Sequence, residues 1–198
     1  MKKRSAKIKR KTKETDIALS LTIDGDGKSR IKTGIPFLDH MLALFAKHGL
    51  FDLEIKAKGD LDVDIHHTNE DIGICLGEAI KKALKDKKGI KRFGVGYVPM
   101  EEALAKVVLD LSGRYSLIFP KEWLNRDEKA EGYSLNDTEH FLKALSREAG
   151  INLNVAIESG SDMHHIIEAI FKALGKALDE ATMIDPRSKG VPSTKGKL

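Results

Sequence analysis

The chain has 198 residues, of which 41% are hydrophobic and 32% are charged, and its formal net charge is +4. This balance excludes a disordered or collagen-like chain, and no apolar run approaches the ~20 residues that a membrane-spanning helix needs. The single cysteine, Cys75, excludes an internal disulfide and a cysteine-based zinc site, and the basic N-terminus lacks the apolar segment of a signal peptide, so we expect a cytoplasmic protein.

Basic residues gather at both ends of the chain. Six of the first ten residues are Lys or Arg, and Lys189, Lys195 and Lys197 form a second group. Basic ends can bind nucleic acid, but the few aromatic residues are not interleaved with them, so no stacking platform is visible. A small anionic ligand such as a phosphate ester explains the C-terminal group equally well. We therefore expect neither nucleic acid nor a membrane as a partner.

The first part of the chain predicts four strands and two helices. Alternation of apolar and polar residues predicts strands over 16–24, 30–33, 51–57 and 61–65. Helical periodicity, with proline and glycine near the ends, predicts helices over 36–48 and 66–84. The glycine-rich turn at 24–27 predicts that the first two strands form a hairpin.

The pattern then starts again. Strands are predicted over 94–100, 102–111, 115–119 and 151–158, and helices over 137–149 and 164–181. LDHMLALFAKHG resembles TEHFLKALSREAG, and IHHTNEDIGICLGEAI resembles MHHIIEAIFKALGKAL. We infer an internal duplication in an α+β fold, each half being a roughly four-stranded sheet with two helices packed on one face. The predicted divisions are 1–90, 91–181 and a C-terminal tail, 182–198.

Histidines carry the clearest chemical signal. Six of the seven belong to the repeat, namely His40, His66, His67, His140, His164 and His165. Each half contributes one lone histidine and one His-His-x-x-Glu motif, which ends at Glu70 or Glu168. Positions i and i+4 share a helix face, so the first histidine and the glutamate of each motif can hold one metal ion. His48 is left over, and we expect it to be a helix-end residue.

The motifs predict two metal ions. Adjacent residues on a helix point about 100° apart, so the second histidine of each motif is better placed to reach a different ion. Each ion would take the first histidine and the glutamate of one motif, the second histidine of the other and a lone histidine. Three imidazoles and one carboxylate suit Mn, Fe, Co, Ni or Zn, and octahedral geometry with two open positions favours Mn(II).

Basic and hydroxyl side chains beside glycines indicate an anion site. Arg92 and Arg114 lie next to turn glycines, and the segment 192–196 contains Ser193 and Lys195. Arginine forks, hydroxyls and lysines are natural donors to a phosphate dianion. Surface arginines beside turns are also common, so this pattern alone leaves a purely structural interpretation open.

Together these motifs resemble the imidazoleglycerol-phosphate dehydratase family of histidine biosynthesis. The matching stretches cover nearly the whole chain from about residue 10: 12–15, 33–42, 59–61, 64–71, 92–94, 112–114, 139–141, 164–169, 171–173 and 192–196. The resemblance implies dehydration of imidazole glycerol phosphate to imidazole acetol phosphate. It also implies two Mn(II) ions per active site, a 24-subunit assembly with sites between subunits, and a substrate phosphate held by Arg92, Arg114, Ser193 and Lys195.

The implied reaction is difficult because the proton to be lost sits on a carbon without an adjacent carbonyl. Two metals on the ring nitrogens would hold an imidazolate, which expels the hydroxyl and gives a diazafulvene-type intermediate. Glu14, in the matched Lys-Glu-Thr segment, is the expected general acid–base, and Glu70 or Glu168 could act only by leaving a metal. Asp71 is expected to orient a metal-binding residue through a hydrogen bond.

Four positions depart from the family pattern. Glu101 stands where the family usually has Asp, Tyr115 where it has Pro, Asn154 where it often has His, and Asp162 where it often has Asn. None removes an expected metal ligand, and Glu101 is given no role. A two-metal phosphate-ester hydrolase is the first alternative, although its ions are usually held by several carboxylates. A metal-storage assembly is the second, although it would need no phosphate-binding tail.

Overall fold

The computed structural model describes residues 3–124, 126, 128–196 and 198, so Lys197 lies outside the described residues. The elements of the first half are β1 (Ser5–Lys11), β2 (Thr15–Thr22), β3 (Ser29–Lys32), α1 (Pro36–His48), β4 (Asp52–Gly59) and α2 (His66–Leu84). Those of the second half are β5 (Phe93–Met100), β6 (Ala103–Asp110), β7 (Ser116–Ile118), the short α3 (Lys121–Leu124), α4 (Leu135–Ala149), β8 (Asn152–Ser159) and α5 (Met163–Thr182).

The two halves have the same sheet topology. The strand order is β1-β2-β4-β3 in one sheet and β5-β6-β8-β7 in the other. In each sheet the first two pairs of neighbours are antiparallel, and the last pair is parallel. This repeated order confirms the predicted α+β fold of two similar four-stranded halves.

Two predictions for the first half are wrong. The strand predicted over 30–33 does not form a hairpin with its predecessor, because β3 pairs in parallel with β4 and the antiparallel neighbour of β2 is β1. Strand β1 was obscured by charge: Ile8 is buried, whereas Lys7 and Lys9 are exposed along an edge that lysines protect from further pairing. The segment 61–65 is a turn that leads into α2, not a strand.

Local capping explains where two of the site helices begin. Helix α4 starts two residues before its predicted boundary, because Ser134 and Asp137 form a reciprocal capping box. Helix α5 begins after Asp162, whose carboxylate accepts a hydrogen bond from the His164 backbone N–H at 2.7 Å. Asp64 accepts from the His66 N–H at 2.7 Å in the same way. The two His-His-x-x-Glu motifs therefore open their helices with equivalent aspartate contacts.

The helices lie between the two sheets. Helix α2 packs on the first sheet and on α4, and α5 packs on the second sheet and on α1. Close approach depends on glycines at these contacts: a Cβ added at Gly73 would lie 2.7 Å from the Phe141 carbonyl oxygen, and one at Gly96 would collide with the Ala173 carbonyl. The apolar side chains between the layers form one continuous core. Within the described ranges, no helix combines the length and apolar character needed to cross a membrane.

Candidate metal centres and phosphate site

Packing across the duplication brings each lone histidine to the motif of the other half. Helix α1 lies on α5, and the ring centroids of His40 and His164 are 5.9 Å apart. Helix α2 lies on α4, and the centroids of His66 and His140 are 4.9 Å apart. The fold thus builds two imidazole clusters, each from both halves, at equivalent places.

Centre 1 consists of His40, His164 and Glu168. The Glu168 Oε2 atom lies 3.5 Å from His40 Nε2 and 3.2 Å from His164 Nε2, and the three donor atoms lie within 4.8 Å of one another. Two ring nitrogens and one carboxylate oxygen converging in this way match the ligands that divalent transition metals prefer. The residues of centre 1 therefore fit a metal ion.

Glu168 is kept ionised by its neighbours. Its side chain is only 8% exposed, and Lys172 Nζ lies 2.6 Å from its Oε1 atom. Burial alone would raise the pKa of Glu168, but the hydrogen bond and charge of Lys172, together with His164 and His40, bring that pKa below its ordinary value. Lys172 lies in a stretch that resembles the family, but the sequence alone did not indicate this role.

Centre 2 consists of His66, Glu70 and His140, and it is looser. Glu70 Oε2 lies 3.5 Å from His66 Nε2, while the Arg147 guanidinium approaches Glu70 Oε1 at 3.6 Å. The Glu70 side chain is 37% exposed. Among the described residues, the donor atoms of centre 1 converge within 4.8 Å, whereas those of centre 2 do not form such a group.

The second histidine of each motif joins neither centre in the described part of the chain. His67 Nδ1 lies 2.9 Å from Asp60 Oδ2, and His165 Nδ1 lies 2.8 Å from Glu102 Oε2. These contacts raise the pKa of each imidazole. The predicted ligand set, in which each ion also takes the second histidine of the other motif, is therefore not assembled within a single chain. Asp60 and Glu102 were also missed as partners, although 59–61 belongs to a stretch that resembles the family.

Glu14 and Asp71 have different surroundings. Glu14 lies in the β1–β2 turn, with its Oε2 atom 3.9 Å from His67 Nδ1. Asp71 is buried, and its partners in the described chain are Arg10 Nε at 2.9 Å and the Thr15 hydroxyl. Asp71 thus connects the first two strands to α2. Within the described part of one chain it does not contact a histidine ring, so its orienting role stays a prediction.

The candidate phosphate site, formed by Arg92, Arg114, Ser193 and Lys195, is organised around the C-terminal tail. Arg92 forms two hydrogen bonds with Asp110, at 2.7 and 3.0 Å, and its NH1 atom donates to the Pro192 carbonyl at 2.8 Å. The hydrogen bonds to Asp110 and its negative charge raise the pKa of Arg92. Arg92 thus holds the segment that carries Ser193, and the Ser193 hydroxyl accepts from the Lys195 N–H at 3.2 Å.

The turn that carries Arg114 lies at the same end of the molecule, where its backbone is close to the C-terminal tail. The tail passes Gly89, whose N–H donates to the Gly190 carbonyl at 2.9 Å. It then approaches Gly113 so closely that an added Cβ there would lie 2.5 Å from the Leu198 carbonyl carbon. The structure thus brings the turn that carries Arg114 and the tail that carries Ser193 and Lys195 to one end of the fold.

This end is distant from both centres within one chain. The Arg92 N–H donates to the Ala181 carbonyl near the end of α5, whereas His164 lies at the start of that helix. At 1.5 Å per residue the two ends are roughly 25 Å apart. Helix α2 likewise runs from His66 towards Lys87, whose Nζ donates to the Leu111 carbonyl just before the Arg114 turn. One small molecule cannot span this distance.

Comparisons with known proteins agree with this architecture. A family model described as imidazoleglycerol-phosphate dehydratase matches residues 33–178. The imidazoleglycerol-phosphate dehydratases of Geobacillus kaustophilus and Bacillus subtilis are each 59% identical, across 98% of this chain and 99% and 100% of theirs. The crystal structure of the Staphylococcus aureus enzyme has a TM-score of 0.81 at 37% identity, covering 91% of this chain and 99% of that one. A Pyrococcus furiosus structure, in complex with (S)-C348, has a TM-score of 0.80 at 37% identity, covering 96% and 100%. The chain therefore belongs to the imidazoleglycerol-phosphate dehydratase family of hydro-lyases.

Proposed function

We propose that the protein removes water from imidazole glycerol phosphate to give imidazole acetol phosphate in histidine biosynthesis, with two Mn(II) ions per active site. The observation that carries the metal dependence is the convergence of His40, His164 and Glu168 on one point. Centre 2 supplies an equivalent donor set from His66, Glu70 and His140, as expected for a site duplicated with the fold. The ions, when bound, would act as Lewis acids that orient the substrate's imidazole ring.

In this proposal Glu14 moves the proton. Dehydration breaks the C–O bond beside the ring and the neighbouring C–H bond, and the resulting enol tautomerises to the ketone. The position of the Glu14 carboxylate supports this role, because it lies on a turn 3.9 Å from the Nδ1 atom of His67, a histidine of the metal-binding motif. We expect Glu14→Gln to lower kcat by about 10²–10⁴-fold, the usual contribution of a general acid–base. Both metal ions should remain bound, and full activity of this variant would contradict the role.

The same proposal requires each active site to be formed by residues from more than one copy of the chain. The second histidines lie outside both centres, and the candidate phosphate site is roughly 25 Å from His164 along α5. A substrate that contacts both the metals and the phosphate-binding residues therefore needs residues from more than one chain. A homo-oligomer with sites between subunits, a 24-mer by the resemblance, meets this need. The cytoplasmic location of the protein stays a prediction.

Assembly can be tested separately from catalysis. If metal ligands cross subunit boundaries, metal binding contributes to the free energy of assembly. Light scattering on the purified protein should give a particle mass near 24 chains that falls after chelation and recovers with Mn(II). A monomeric mass in the presence of Mn(II) would contradict shared sites.

In the proposed complex, the substrate phosphate is held by Arg92, Arg114, Ser193 and Lys195. Asp110 pre-orients the Arg92 guanidinium, and the Arg92–Pro192 contact couples it to the tail. Because such contacts bind the substrate rather than the metals, deletion of the tail after Gly190 should raise KM while the bound metal stays unchanged. Loss of metal on deletion would assign the tail a structural role instead.

The deciding experiment is an assay on chelator-stripped protein with imidazole glycerol phosphate, with and without Mn(II). Formation of the ketone only when Mn(II) is added supports the proposal. Turnover that is equally fast after complete metal removal contradicts metal dependence. Release of inorganic phosphate from generic esters, without ketone formation, would instead favour the two-metal hydrolase.

A further inference from the structure

The turns β1–β2 and β5–β6 occupy equivalent positions in the two halves, and each carries a glutamate. Glu14 immediately precedes β2, and Glu102 immediately precedes β6. Each turn lies beside the second histidine of its own half, since Glu14 is 3.9 Å from His67 Nδ1 and Glu102 is 2.8 Å from His165 Nδ1. The duplication therefore places one glutamate beside each of these two rings.

The two glutamates are held differently. Glu102 is fully engaged: its carboxylate accepts from the backbone N–H groups of Ser161 at 3.1 Å and Asp162 at 2.9 Å, besides contacting His165. These bonds lower the pKa of Glu102 to about 2. Glu14 Oε2, at 3.9 Å, lies too far from His67 Nδ1 for a hydrogen bond. Among the described residues, the Glu14 backbone N–H donates to the Thr12 hydroxyl, and the Glu14 carboxylate accepts no hydrogen bond. Equivalent positions thus hold one carboxylate that is fully hydrogen-bonded, Glu102, and one that accepts no hydrogen bond within the described residues, Glu14.

The cause lies after the fourth strand of each sheet. Asp60 is the first residue after β4 and takes the hydrogen bond to His67 Nδ1. The equivalent first residue after β8 is Gly160, whose φ is +148° and whose added Cβ would lie 2.5 Å from Ile166 Cγ1. Any side chain at position 160 would need a backbone conformation that favours glycine and would press on Ile166, and in the second half it is Glu102 that contacts His165.

We propose that Asp60 and Glu102 are positioning residues that fix His67 and His165 for metal binding, and that Asp60 thereby leaves Glu14 free for proton transfer. A carboxylate only accepts hydrogen bonds, so each contact requires a proton on Nδ1 and leaves the Nε2 lone pair available to a metal. The same contact fixes the ring orientation and increases the basicity of Nε2. This inference rests on the proposed metal-dependent function.

The test measures metal binding rather than activity. Bound Mn(II) per chain is determined by mass spectrometry of the metal, and dissociation constants by calorimetry, on the assembled protein. We expect Asp60→Ala and Glu102→Ala each to weaken the binding of one of the two ions by about 10–100-fold and to leave the affinity for the other ion unchanged. Asp60→Asn and Glu102→Gln each keep an acceptor oxygen for the ring N–H and should recover part of the affinity. A loss confined to one of the two ions is what a merely structural role would not produce.

Two control variants complete the design. Asp62→Asn removes an exposed charge from the same turn as Asp60 and should bind both ions like the unaltered chain. Glu14→Gln changes the equivalent of Glu102 and should also bind both ions. If Asp60→Ala and Glu102→Ala bind both ions as tightly as the unaltered protein, the positioning role is wrong and the proposed function stands. If the unaltered protein binds no divalent ion, the proposed function fails and this inference fails with it.

Discussion

Centre 1 and centre 2 arise from the same motif but differ in how firmly their glutamates are held. In centre 1, buried Glu168 contacts two imidazoles and is bonded to Lys172 on the next helical turn. In centre 2, half-exposed Glu70 contacts His66 and is shared with Arg147. A repeated sequence motif therefore predicts which residues could bind metal. The packing around the glutamate determines how firmly the donor atoms are held in position for an ion.

The largest expected effect concerns stability without metal. Glu168→Gln removes the charge that balances Lys172, whose side chain is only 15% exposed, and breaking a buried ion pair costs about 3 kcal/mol. The matched Glu70→Gln variant breaks half-exposed pairs and should cost at most about 1 kcal/mol. Unfolding of chelator-treated protein, at one fixed protein concentration, would compare the two. Equal losses would remove the proposed difference between the centres.

The pH dependence of that loss provides a control. The pKa of Glu168 is lowered in the folded chain, so its charge stabilises the fold above the ordinary value of 4.5, and this contribution is lost as the pH falls through the lower, folded pKa. The stability difference between the unaltered chain and Glu168→Gln should therefore be constant near neutral pH and shrink below pH 4.5. A difference that does not shrink well below pH 4.5 would contradict an ionised Glu168.

The next effect is the order in which the centres take up metal. Because the donor atoms of centre 1 already converge, we expect its ion to bind at least about tenfold more tightly, which is a difference of ~1.4 kcal/mol. Calorimetric titration of stripped protein with Mn(II) should resolve a tight and a weaker class. Glu70→Gln should lose the weaker class and Glu168→Gln the tighter one, and the reverse assignment would overturn the ranking.

Much of the fold could be predicted because its signals are local. Alternation identified β2, β4, β6 and β8, and the repeat indicated the duplication. The partner of β3 could not be predicted, since its parallel pairing with β4 depends on the return of the chain through α1. Strand β1 was missed because alternating lysines look like a solvated basic segment.

In the candidate site, too, local features could be predicted from the sequence, and features that depend on the tertiary fold could not. His66 with Glu70, and His164 with Glu168, follow from i,i+4 spacing, which the helix enforces. The direction of His67 and His165 does not, because it depends on carboxylates brought in by neighbouring turns, one of them 63 positions away. The contacts of Asp71 with Arg10 and Thr15 could not be predicted for the same reason, since they depend on the positions of β1 and β2.

The smallest predicted effect isolates what weakens centre 2. Arg147 places a cation 3.6 Å from Glu70 Oε1, where it competes with a metal ion for the carboxylate and repels the metal's charge. Half-exposed ion pairs contribute at most about 1 kcal/mol, so Arg147→Gln should tighten the weaker class of Mn(II) binding by up to about fivefold. The tighter class should not change, because Glu168 is balanced by Lys172 instead. Calorimetry that finds weaker binding at centre 2 would mean that Arg147 orients Glu70 for the metal, and the looseness of centre 2 would then need a cause other than competition for its glutamate.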